Sequence, residues 1–170
     1  MIPDFIIRTG WFFLLTLLQV MVCNHVHIVG YATPMPIVFF LIMLSSDTPR
    51  WVYILLGFTL GLIVDMFDNT PGMHAASLTF TGLLTPLVLR FFLPADYEKG
   101  DSLLPTHNTL EWGPFFWFVT LVTLINTATY FALEIFSFFE WSYLLLNIVG
   151  SWILTVIFIL ALELIRTTRT

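Results

Sequence analysis

Cysteine and charged residues are scarce in this sequence, and both scarcities exclude classes of function. The single cysteine, Cys23, has no partner for an internal disulfide and excludes a metal cluster built from cysteines. Only six of the 170 residues are lysine or arginine, and no basic stripe is present, so we expect no nucleic-acid binding. Charged residues make up 10% of the chain, far fewer than in soluble domains.

Enzyme motifs are missing as well. The sequence has no GxSxG, no HExxH and no glycine-rich phosphate loop. The pair His25 and His27 has no third metal ligand nearby, which favours a solvated polar loop over a metal site. Although acids and histidines clustered near a membrane surface can relay protons, we recognise no nucleophile with its base and orienting group. We therefore expect no catalytic residues, no metal and no cofactor.

Hydrophobic residues, in contrast, make up 58% of the chain, and the mean hydropathy is +0.93. These values predict an all-α integral membrane protein with one membrane domain over residues 1–170. We expect six transmembrane helices in one bundle, at about 5–22, 28–44, 51–67, 74–92, 115–139 and 143–165.

The second of these spans has the weakest hydrophobic pattern. Only Pro36 to Leu44 is cleanly hydrophobic, so a re-entrant or tilted segment is the alternative to a full crossing. Six crossings would put all six basic residues on one side of the membrane. Since basic residues favour the cytoplasm, we expect both termini and a polar connector over 94–114 to be cytoplasmic.

The stretch Gly57 to Ala75 contains the most informative pattern. Gly57, Gly61 and Asp65 are spaced by four and share one helix face, where small residues allow another helix to approach closely. Asp65 should face protein, because a carboxylate in lipid is costly. The sequence then breaks in a turn that includes Asp68, Asn69, Pro71 and Gly72.

Asp65 has two interpretations. In the first interpretation, its carboxylate carries a proton or contacts a substrate. The favoured one is structural: free backbone N–H groups at the start of the next helix, or His74, would partner the carboxylate.

Polar residues also follow the last two spans. On the fifth, a stripe predicts a seam between helices and contains Thr123, Thr127, Tyr130 and Glu134. On the sixth, a face that could meet this seam contains the packing candidates Asn147, Gly150 and Ser151.

These motifs, in order, resemble the rod shape-determining protein MreD family, and in particular its Bacteroides-like branch. The likeness includes Gly57-xxx-Gly61-Leu62-xx-Asp65 followed by Asn69-Thr70-Pro71-Gly72-Met73. It extends over nearly the whole chain through Leu18-Gln19-Val20, Gly30-Tyr31-Ala32-Thr33-Pro34, Phe136-Ser137-Phe138-Phe139, Trp141 and Tyr143-Leu144-Leu145-Leu146.

The resemblance implies a non-enzymatic subunit of the bacterial cell-elongation complex in the inner membrane. It implies direct binding to MreC, and association with MreB, RodA and the elongation transpeptidase in the same assembly, surrounded by membrane lipid. The implied fold resembles the substrate-binding subunits of energy-coupling-factor transporters. A substrate-capture subunit of a vitamin-type transporter is therefore the alternative function, and self-association stays open.

Overall fold

The computed structural model describes residues 2–21, 32–94, 97, 102–134 and 141–167. The regular structure within this part of the chain is helical, as predicted. It comprises one 3-10 turn, Pro36–Val38, and the helices α1 (Ile2–Met21), α2 (Phe39–Ile42), α3 (Arg50–Asp68), α4 (Met73–Arg90), α5 (His107–Leu110), α6 (Trp112–Glu134) and α7 (Trp141–Thr167).

Three of these helices are long and apolar enough to cross a membrane: α3, α6 and the Leu144–Arg166 part of α7. They identify a membrane protein. α4 is 18 residues long but contains several hydroxyl side chains. Thr81 and Thr85 each donate a hydrogen bond of 2.7 Å to the carbonyl one turn earlier, which satisfies their hydroxyls within the helix.

The second predicted span differs most from expectation. Residues 28–31 lie outside the described residues, and the remainder is irregular to Met35 and helical only from Pro36 to Ile42. The prolines explain the break, since Pro34 and Pro36 cannot donate a backbone hydrogen bond. Met35 and Phe39 are fully buried. Irregular backbone at membrane depth is stable only when it is enclosed by protein in this way.

α3 and α4 form a tight antiparallel hairpin. Gly57 lies against the Leu78 carbonyl of α4, Gly61 against Ala75, and Gly82 of α4 against the Tyr53 carbonyl. A Cβ atom at any of the three glycines would overlap backbone of the other helix. The glycines therefore bring the two backbones into direct contact, which is how small residues act between membrane helices.

The connector packs onto one end of the bundle, which we call the connector end. The Ser46 amide donates to the Leu103 carbonyl at 2.9 Å, and the Leu103 amide donates to the Ser46 hydroxyl at 3.0 Å. Leu110 is buried, whereas Asn108 and Glu111 are exposed. The expected solvent-exposed connector is thus only partly exposed, because its apolar residues cover the ends of the helices.

Candidate functional site

The turn between α3 and α4 lies at the opposite end, which we call the turn end. α3 ends at Asp68, and the next residue, Asn69, has a left-handed conformation with φ 55°. The next left-handed residue is Gly72, φ 84°, and α4 begins directly after it. Asn and Gly adopt this conformation most readily, so the sequence itself brings the chain back toward α3.

Asp65 is 4% exposed and accepts hydrogen bonds from donors in this turn and at the start of α4. Its Oδ1 atom lies 3.0 Å from the His74 amide and 3.1 Å from the His74 Nδ1 atom, and its Oδ2 atom lies 2.8 Å from the Ala75 amide. The Thr70 hydroxyl donates to Oδ1 as well. The start of α4 is thus the anion site that the sequence analysis favoured as the partner of Asp65.

Gly61 and Asp65 cooperate in this contact. They are one turn apart on α3, and Gly61 lies against the same two residues, His74 and Ala75, whose amides bind the carboxylate. A side chain at position 61 would push the start of α4 out of reach of Asp65. The spacing of four that we noted in the sequence therefore corresponds to one continuous contact.

The His74 ring also contacts α6. Its centroid lies 4.5 Å from that of Tyr130, which is buried. Asp68 and Glu134 lie within electrostatic range of Tyr130 at the same end. No group of three or more His, Cys, Asp or Glu side chains among the described residues is arranged to hold a metal. His25 and His27 lie outside this part of the chain.

The predicted seam on α6 is largely buried. Thr123 and Thr127 are inaccessible, and their hydroxyls donate to carbonyls of α6 itself at 2.7 and 2.9 Å. Glu134, at the end of the stripe, is exposed. The cross-helix contact that sequence reasoning missed is Asn126, whose Oδ1 atom lies 3.3 Å from the Thr81 hydroxyl of α4.

Two residues on the predicted packing face of α7 contact the irregular segment after residue 31. The Ser151 hydroxyl accepts from the Thr33 amide at 2.9 Å, and Gly150 lies against Ala32. Asn147 is buried on the same face. α7 reaches α6 elsewhere, where the Trp152 indole N–H donates to the Thr120 carbonyl at 3.0 Å.

Two further side chains bind the irregular backbone. The Thr155 hydroxyl accepts from the Met35 amide at 3.0 Å. The Gln19 amide group contacts both the Pro34 carbonyl and the Ile37 amide, each at 3.4 Å. These side chains replace the partners that a continuous helix would supply, which explains polar residues in otherwise apolar helices.

A second buried carboxylate, Glu163 of α7, lies at the connector end and was not predicted from the sequence. It is inaccessible to solvent. Arg166 Nη1 lies 3.3 Å from Oε2, and the His107 Nδ1 atom lies 3.5 Å from Oε1. The available signal was the spacing of three between Glu163 and Arg166, which places both on one helix face.

Both carboxylates join separate parts of the chain. Asp65 joins two helices through backbone donors, and Glu163 joins the connector to α7 through cationic or polar side chains. Among the described residues, the Thr120 hydroxyl is the one buried side-chain N or O atom without a hydrogen-bond partner. Buried polar groups in folded proteins are generally hydrogen-bonded in this way.

Comparison of the chain with known protein families, with curated proteins and with solved structures finds no match.

Proposed function

We propose that this protein is a non-enzymatic subunit of the bacterial cell-elongation complex, embedded in the inner membrane. The resemblance to the MreD family rests chiefly on one motif. The observation that carries the proposal is how the structure uses this motif. Its glycines and Asp65 make contacts within the α3–α4 hairpin. A motif used for packing supports a structural subunit over an enzyme.

The proposed direct partner is MreC, and MreB, RodA and the elongation transpeptidase act in the same assembly. Apolar helix faces are available for such binding, since large hydrophobic side chains on α3 are exposed, among them Leu55, Phe58, Leu62 and Met66. Contacts of this kind depend little on charge. We therefore expect binding to MreC to persist in moderate salt, which screens mainly exposed charges.

Affinity purification of the full chain in mild detergent, with identification of the proteins that co-purify, tests the proposal. MreC is expected in the eluate, at low and at moderate salt. An eluate without MreC contradicts the proposal. Recovery of MreC at low salt followed by complete loss at moderate salt contradicts only the apolar mode of binding.

The proposed topology has six crossings, with both termini and the connector in the cytoplasm. It is supported by the antiparallel α3–α4 hairpin, which brings Arg50 and Arg90 to the same end of the bundle as the connector. The proposed second crossing includes the irregular segment, enclosed by protein.

Labelling of a single cysteine introduced at position 100, in a chain without Cys23, measures the side on which the connector lies. An impermeant reagent should not label it in intact spheroplasts and should label it after lysis. Labelling in intact spheroplasts would contradict a cytoplasmic connector.

One observation favours the alternative function, a substrate-capture subunit of a small-molecule transporter. The buried irregular segment is bound through Gln19, Ser151 and Thr155, and interrupted helices of this kind often line transport sites. Co-purification of an ATPase module, or of a vitamin-like molecule without MreC, would support this function instead.

A further inference from the structure

The two helices of the α3–α4 hairpin each have an arginine followed by an aromatic residue at the connector end. α3 begins with Arg50 and Trp51, and Arg90 and Phe91 stand where α4 ends. All four residues are exposed, Trp51 at 64% and Phe91 at 85%. Aromatic side chains at the ends of membrane helices are typical of the level where lipid headgroups meet acyl chains.

The register of the hairpin brings the two pairs near one level. Gly82 of α4 lies against the Tyr53 carbonyl of α3, so the antiparallel helices are aligned at these residues. Arg50 precedes Tyr53 by about 4.5 Å and Arg90 follows Gly82 by about 12 Å, at 1.5 Å per residue. The arginines are thus separated by only about 8 Å along the helix axes, a distance that their long side chains can bridge.

The arginines at this end differ in their partners. Arg166 is half-buried and its guanidinium contacts Glu163. Arg50 and Arg90, in contrast, form no ion pair or side-chain hydrogen bond with any residue in the described ranges. Within the described part of the chain, two exposed guanidinium groups beside two exposed aromatic rings are therefore open to an anionic partner.

We propose that Arg50, Trp51, Arg90 and Phe91 form a binding site for the headgroups of anionic phospholipids. Arginine binds phosphate oxygens through two parallel N–H donors, and aromatic rings favour the level between headgroups and acyl chains. Exposed tryptophans at the start of α6, Trp112 and Trp117, extend the aromatic surface at the same end. The headgroup layer is about 5 to 7 Å thick in each leaflet, which matches the axial spread of the two pairs.

This inference rests on insertion of the chain in a membrane, and it is independent of the proposed role in cell elongation. The test is a lipid titration of the full chain in detergent, followed by native mass spectrometry. The probes are phosphatidylglycerol, which is anionic, and phosphatidylcholine, which is zwitterionic. Wild-type protein should bind phosphatidylglycerol more tightly, and the difference should shrink as salt increases.

The double variant R50Q/R90Q should lose about 25-fold in affinity for phosphatidylglycerol, or about fivefold for each arginine. Its affinity for phosphatidylcholine should not change. The variant R50K/R90K keeps the charge and should retain most of the preference, with a smaller loss from the missing bidentate contacts. Asn108→Ala, an exposed neutral position on the connector, is the matched control and should bind both lipids as wild type does.

Equal affinity of R50Q/R90Q and wild-type protein for phosphatidylglycerol would overturn the proposal. So would an equal loss of affinity for both lipids, because the site would then not recognise charge. Loss of MreC binding by R50Q/R90Q with unchanged lipid affinity would overturn it too and assign the surface to a protein partner. The lipid result does not depend on MreC, so the two proposals fail separately.

Discussion

The two ends of the bundle each bury a carboxylate, but they neutralise it in different ways. At the turn end, Asp65 is held by two backbone amides at the start of α4, together with Thr70 and His74. At the connector end, Glu163 is held by the side chains of Arg166 and His107, and by the His107 amide.

The difference follows from where the chain has basic residues. Arg50, Arg90 and Arg166 all lie at the connector end, and the contacts of Asp65 include no lysine or arginine. A helix N-terminus then supplies the positive potential that an arginine supplies elsewhere. Backbone donors cannot turn away to solvent, whereas the side chains of Arg166 and His107 can. We therefore expect the turn end to tolerate the loss of its carboxylate less well.

The largest effect should come from Asp65→Leu. The substitution leaves the buried amides of His74 and Ala75 without an acceptor, and we expect a loss of about 4 kcal/mol in the free energy of unfolding. Asp65→Asn keeps an oxygen acceptor and should lose only about 1 kcal/mol. Denaturant titration in detergent measures both. Equal stability of the two variants, with function lost in both, would instead favour a direct role for the charge.

Gly61→Ala should have the next largest effect, because the contact at the turn end requires the two backbones to touch. A Cβ atom there would overlap Ala75 and the His74 carbonyl, and overpacking against backbone should cost about 3 kcal/mol. Gly113→Ala is the matched control, since a Cβ at Gly113 meets no atom within 4 Å. Gly113→Ala should unfold like wild type. If Gly61→Ala does so as well, the close contact between α3 and α4 is contradicted.

At the connector end, Glu163→Leu should cost less than Asp65→Leu, about 2 kcal/mol, because Arg166 can reach solvent once the carboxylate is gone. We expect the substitution to affect the connector around His107 more than it affects the stability of the whole protein. A cysteine at position 108 should react faster in this variant, since His107 no longer has its anionic partner. A loss of stability greater than that of Asp65→Leu would reverse the comparison of the two ends.

The smallest effect should come from Ser151→Ala, which removes one acceptor from the irregular segment. Hydrogen bonds between membrane helices contribute about 0.6 kcal/mol on average, and a loss of this size is expected. Ser142→Ala, at an exposed position near the start of α7, serves as the control and should not change stability. A loss above about 2 kcal/mol for Ser151→Ala would show that the segment depends on this one contact far more than on packing.

Local patterns made several features predictable. The spacing of Gly57, Gly61 and Asp65 indicates a helix face for close packing, and the turn residues Asn69 and Gly72 indicate where α3 ends. These features depend on residues close together in the chain and on backbone preferences that hold in any fold. The partner of Asp65 could be predicted from the sequence for the same reason, because α4 begins only a few residues after Asp65.

Contacts between distant residues were not predictable in this way. Gln19, Ser151 and Thr155 look like ordinary polar residues in apolar helices, and their common role appears only where they meet residues 33–37. Glu163 resembles any acid near the end of a membrane helix until the connector places His107 beside it. No local pattern contains these pairings, because they join residues far apart in the sequence.

The class of protein follows from composition, because a chain with 58% hydrophobic residues needs lipid or protein to cover its apolar surface. The sequence also determined the α3–α4 hairpin, through glycines and a turn that act over short range. The prolines of the second hydrophobic segment indicate an interruption, but only the tertiary contacts show that protein encloses it, with Gln19, Ser151 and Thr155 as hydrogen-bond partners. The physical reason is that an interrupted backbone is stable at this depth only when surrounding helices supply its missing hydrogen bonds.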